Sequence, residues 1–200
     1  MLNCSSMNLV KEIISEVKAC GRPEKVALYQ SFFQTAPGQY GEGDQFIAAR
    51  VPELRKIAKR YSKEIRLKDV EALLQSPIHE VRFTGLVILT LQYQSEIQDR
   101  EAIVKLYLKN TDRINNWDLV DVSAYKIIGA HTLQKPFPLL KKLAQSKLLW
   151  DRRIAMVSTL AHIKDGNPEP TLELAELLLP DEHDLIHKAA GWMLREMGKN

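Results

Sequence analysis

In the segment NNWDLVDVS, residues 115–123, Trp117 and Asp121 stand four residues apart. On a helix that spacing places them on one face, one turn from each other. A carboxylate beside an aromatic ring can attract a cation or orient a proton-bearing group. The motif has echoes further on: Lys188 and Trp192 are also four apart, and Trp150 lies three residues before Arg153. Aromatic faces pack on sugars and bases, while Arg and Lys hold phosphates. Three tryptophans interleaved with cations therefore form a footprint for nucleic acid, although for any one tryptophan taken alone the plain reading is burial in the core.

The charged members of these pairs recur. The segments EVRFTGLVIL, LVDVSAYKII, DRRIAMVSTL and LIHKAAGWML align so that Arg82, Asp121, Arg153 and Lys188 form one column, at intervals of 39, 32 and 35 residues. Two positions on, a second column holds Thr84, Ser123, Ala155 and Ala190, all small and suited to close helix approach. The spacing fits a two-helix repeat of about 34–47 residues. In such arrays the second helices line a concave surface, so the column reads as a basic track with one acidic spot. A carboxylate there repels a phosphate, at about 4 kcal/mol for a 4 Å separation in an effective dielectric of 20. Two roles for Asp121 fit: a structural pairing with a neighbouring arginine, or a stance toward a cation that arises during a reaction.

The elements that carry these residues are helical throughout, with apolar residues recurring three and four apart and no strand-length alternation. Helices are expected over about 8–19, 23–34, from Pro52 to Tyr61, 67–75, from Pro77 to about 93, 100–109, 116–130, 138–144, 148–163, 171–179 and 184–197. TAPGQYGEGDQF, residues 35–46, is a glycine-rich loop. Asp118 falls in the first turn of the 116–130 helix, where a carboxylate favours the helix dipole.

The totals limit the function classes. With 200 residues the chain fits one domain, 1–200. A net charge of +3 permits an anionic partner without requiring one. Cys4 and Cys20 complete no metal motif, and no Asp, Glu and His cluster suits a metal-dependent nuclease. No apolar run is long enough for a membrane span or a signal peptide. The expectation is a cytoplasmic monomer without metal or cofactor. Residues 1–7 are expected to be disordered, and the array to want a further cap after residue 200.

NNWDLVD, LLWDRRIAMV and HKAAGWMLRE, in this order, resemble the AlkD-type DNA alkylation repair glycosylases. FIAARVPELRKIAK is similar to that family's N-terminal DNA-facing turn, and the resemblance runs from about residue 24 to the end. It implies an all-α, HEAT-like helical-repeat solenoid with a concave basic groove. The implied activity is hydrolysis of the N-glycosidic bond of cationic N3- and N7-alkylated purines in double-stranded DNA, without a cofactor and without flipping the lesion into a pocket. By motif, Trp117 matches the aromatic packed on the lesion's deoxyribose, Asp121 the catalytic carboxylate, Arg153 the arginine beside it, and Trp192 a second sugar-contacting tryptophan. Arg50 and Arg55 fall in the block that approaches the opposite strand. Lys188, Arg82 and Trp150 are the remaining DNA-binding residues expected from the columns. The competing expectation is a non-catalytic HEAT-like module that binds DNA or a protein partner.

Overall fold

The computed structural model describes residues 4–95, 97–133 and 138–199. Among them the chain is helical, with no strand beyond one isolated parallel bridge between Gln45 and Ile78. It divides into two compact units, Met1–Asn116 and Trp117–Asn200. The expected disorder of residues 1–7 falls partly outside the described residues; the chain is already helical at Cys4.

The first unit holds α1 (Cys4–Ala19), α2 (Val26–Phe32), α3 (Val51–Tyr61), α4 (Leu67–Leu74), α5 (His79–Ser95) and α6 (Arg100–Lys109). A short 3₁₀ turn at Pro23–Lys25 precedes α2, because the ring of Pro23 suits a first turn but supplies no N–H. α5 is buried on almost every face, and α1, α3, α4 and α6 pack around it. Its Leu86, Ile88 and Leu89 are wholly buried, each contributing on the order of 1.5–3 kcal/mol by removal from water.

The second unit is built in the same manner around α10 (Leu149–Lys164), which packs against α7 (Trp117–Ala124), α9 (Pro138–Ala144), α11 (Glu169–Leu177) and α12 (Asp184–Met197). The helix expected over 116–130 is not regular. After α7 the chain makes one π-helical turn, Tyr125–Gly129, in which the Ala130 N–H donates to the Tyr125 carbonyl, and then continues into α8 (Ala130–Thr132). At Gly129, the last residue of this turn, a Cβ would lie 2.3 Å from the Ser158 carbonyl oxygen on α10. Only a residue without a side chain permits that approach.

The column of small residues serves close packing. Thr84, Ser123 and Ala155 are fully buried on α5, α7 and α10, and the Ser123 hydroxyl donates back to the Leu119 carbonyl at 2.6 Å. No helix among the described residues is long and apolar enough to cross a membrane.

Candidate active site

α7 starts directly at Trp117, after the half-buried Asn115 and the buried Asn116. Asp118 sits in the first turn, and one of its own carboxylate oxygens accepts the Leu119 N–H at 2.9 Å. One turn after Trp117 comes Asp121, and both side chains are half-buried.

Asp121 meets a cation from the next repeat. Arg153 of α10 donates Nε to Oδ1 at 3.1 Å, and Nη2 to Oδ1 and Oδ2 at 2.9 Å each. Its third nitrogen, Nη1, donates to the Leu185 carbonyl at 2.6 Å. Arg153 is only 5% exposed, whereas the Asp121 side chain keeps 21% of its surface. The fork fixes the orientation of an ionised carboxylate and ties together α7, α10 and the first turn of α12. Burial pushes the Asp121 carboxyl above its ordinary value. The Arg153 guanidinium beside it pulls the other way without fully offsetting burial, and the charge of Asp118 adds to the rise.

α12 contributes the other expected residues of this unit. Lys188 and Trp192 follow Leu185 by three and seven residues, which puts them along one stripe of the helix. Lys188 is exposed and pairs with Asp184 at 2.6 Å, with both side chains about two-thirds in solvent or more. Such a pair is worth little. Trp192 is half-buried. The Lys199 ammonium and the indole of Trp192 help hold Glu196 below its usual range.

Two expected DNA-binding residues are corrected. Trp150 is 5% exposed; three residues before Arg153, it lies on the packed side of α10 and serves the core. Arg82 is 1% exposed. Its guanidinium pairs with Asp44 and donates to Asn115 Oδ1 at 2.9 Å, and to the carbonyls of Ser76, Pro77 and Arg113 at 3.0, 3.2 and 3.0 Å. The other Asp44 oxygen meets His79 Nδ1 at 2.9 Å. Burial pushes Asp44 up, but His79 and Arg82 together outweigh it and hold the carboxyl below its usual range. Arg82 thus pins the glycine-rich loop to α5 and has no donor left for a phosphate. The sequence columns missed Asp44, which lies far from α5 in the chain.

In the first unit Arg50 and Arg55 are exposed at the start of α3. The backbone N–H of Arg50 donates to Glu53 at 3.1 Å, leaving its guanidinium outside the cap. Among the described residues no group of three or more His, Cys, Asp and Glu could hold a metal ion.

The second unit thus brings Trp117, Asp121 and Arg153 into one cluster, with an exposed lysine and a half-buried tryptophan on the helix that Arg153 grips. No curated protein matches the chain in sequence. A family model described as DNA alkylation repair enzyme matches residues 13–200, nearly the whole length and all of the site, and the chain belongs to that family.

Proposed function

We propose that this DNA alkylation repair enzyme is a glycosylase that hydrolyses the N-glycosidic bond of cationic N3- and N7-alkylated purines, such as 3-methyladenine and 7-methylguanine, in double-stranded DNA. The observation that carries the reading is the partly exposed carboxylate of Asp121, fixed by the Arg153 fork one turn from Trp117.

Alkylation gives the purine a positive charge. When its bond to C1′ breaks, the electron pair leaves with the base, which becomes neutral, and positive charge appears on the sugar. Asp121 stabilises that charge, and the face of Trp117 packs on the deoxyribose and adds a cation–π contribution. Water then bonds to C1′ and its proton passes to Asp121 or to solvent. Lys188, Trp192, Arg50 and Arg55 serve as DNA contacts. No metal or organic cofactor takes part in this scheme.

The same geometry favours a second reading. Arg153 also bonds the Leu185 carbonyl, so Asp121 could serve solely as its structural partner in a non-catalytic DNA-binding module. A substrate panel separates the readings. The glycosylase releases 7-methylguanine and 3-methyladenine from alkylated duplex and leaves uracil and hypoxanthine in place, since a lone carboxylate cannot expel a neutral base. Rapid release of uracil, or no release of any alkylated base, overturns the proposal.

A further inference from the structure

Besides Asp121, Arg153 is anchored by the Leu185 carbonyl, in the first turn of α12, to which its Nη1 donates. The ends of a helix open first, because the amides of the first turn lack partners within it. The anchor of Arg153 thus stands on the least secure part of α12 and has to be fastened from outside. Three residues do so. His183 is the N-cap of α12, and its Nδ1 accepts the Leu185 N–H at 3.2 Å. Asp181, two residues earlier, accepts the His183 N–H on Oδ1 at 2.9 Å. Arg152, the neighbour of Arg153 on α10, donates Nε to Asp181 Oδ2 at 2.5 Å and Nη2 to Oδ1 at 3.3 Å. Its Nη1 donates to the carbonyls of Ser146 and Lys147 at 3.2 and 3.1 Å, in the turn that leads into α10.

The Asp181 side chain is only 8% exposed. Burial pushes its carboxyl up, but Arg152 and the His183 N–H outweigh burial and hold it below its usual range. These contacts close a ring within the second unit. It runs from Arg152 through Asp181, His183 and Leu185 to Arg153, and returns to Arg152 along the peptide bond. Two adjacent guanidiniums thereby hold the two ends of segment 181–185, one through a side chain and one through a carbonyl. An ion pair on a loop would stabilise the chain wherever it stood. This one is joined by hydrogen bonds to the group that aims the acid.

We infer that Arg152, Asp181 and His183 are positioning residues for Asp121: they fix the first turn of α12, and with it the carbonyl that holds Arg153 in place. They act through Arg153. The inference rests on the proposed catalytic role of Asp121.

Asp181→Asn, made in the full chain, is read in two ways. One is the NMR titration of the Asp121 carboxyl, assigned by its loss in Asp121→Asn. The other is single-turnover release of 7-methylguanine against pH. The main charges bearing on Asp121 are Arg153 of α10 and Asp118 of α7. The direction of the shift separates positioning from a field effect. Loss of the Asp181 charge alone would favour ionised Asp121 and lower its titration. A loosened Arg153 raises it, by up to about one pH unit, the lower end of what a nearby opposite charge does to a carboxylate. The acid limb of release should rise with it. Release at neutral pH should slow by up to about 100-fold, the cost of a misplacement by about 1 Å. His183→Ala, a milder change, should shift the titration the same way, and decides alone should Asp181→Asn not fold. His183→Asn, which keeps a cap, should restore the wild-type titration. Glu173→Gln breaks another ion pair of the same unit, with Lys141, and should leave Asp121 unmoved. An Asp121 titration that stays in place or falls in Asp181→Asn refutes the inference, as does an equal rise in Glu173→Gln. If wild type releases no 7-methylguanine, the proposed function falls, and the carboxyl titration still decides the positioning.

Discussion

Replacing Arg153 by Met separates the two things its guanidinium does. Consider a sugar cation about 4 Å from the Asp121 carboxylate and, with the guanidinium on the far side, about 7 Å from that charge. At an effective dielectric of about 20, the attraction is about 4 kcal/mol and the repulsion about 2.4 kcal/mol. The remaining 2 kcal/mol or so corresponds to about twentyfold in rate. In wild type, Arg153 thus weakens the field of Asp121 but favours its ionised form and aims it. Arg153→Met removes a cause that lowers the Asp121 carboxyl, which burial already holds above its ordinary value. The acid limb of single-turnover 7-methylguanine release should therefore move to higher pH, with activity lost on the acid side, while on the alkaline side the lost repulsion and the lost aim of the carboxylate oppose each other. Stability should drop by about 3–5 kcal/mol, because a buried partner is left alone. The native carboxyl is raised above its unfolded value. Native Asp121 therefore takes up a proton first, and the deficit in stability should shrink as pH falls through that raised value. Arg153→Lys keeps the charge without the fork, so it should hold the acid limb nearer wild type and still lose the Leu185 bond. An acid limb that Arg153→Met leaves in place would refute the reasoning.

Other substitutions test the rest of the assignments. Asp44→Asn breaks the buried pair with Arg82 and should cost about 3–5 kcal/mol in denaturant unfolding at neutral pH, with little change in duplex affinity per folded molecule. Because Asp44 is held below its unfolded value, its contribution is present above about pH 4 and is lost as pH falls through the lower native value. Gly129→Ala drives a Cβ to 2.3 Å from the Ser158 carbonyl oxygen and should lower stability by about 1–3 kcal/mol or more in a thermal melt. Trp150→Ala should cost about 3–5 kcal/mol as a large-to-small core change, whereas Trp117→Ala should slow excision far more than it lowers the melting temperature.

The helices were legible because the repeat writes itself into the spacing of apolar residues. α12 falls on 184–197 and α9 on 138–144, as expected. The Asp121–Arg153 pair was half-legible: the two occupy one column in successive repeats, so an arginine partner was one of two roles open to the acid. Arg82 sits in the same column and looked like Arg153, yet a loop from a distant part of the chain lays Asp44 over it. Side-chain type and register cannot reveal that. The break in the 116–130 helix was also hidden, because the apolar spacing runs on through Tyr125–Gly129 without a proline to mark it. Trp150 misled for a simpler reason: its three-residue offset from Arg153 fits the same face as well as a neighbouring one, and tertiary packing decides between them.

The central claim is that Asp121 works on a charge made by the reaction. Asp121→Asn nearly preserves its shape and its ability to accept a hydrogen bond from Arg153, while removing the negative charge. Single-turnover release of 7-methylguanine, measured beside the affinity for the same alkylated duplex, tests the claim directly. Excision should fall by up to about three powers of ten, because the full attraction of about 4 kcal/mol is lost while the Arg153 repulsion stays, with affinity kept or tightened. Equal excision by the variant and the wild type would contradict it.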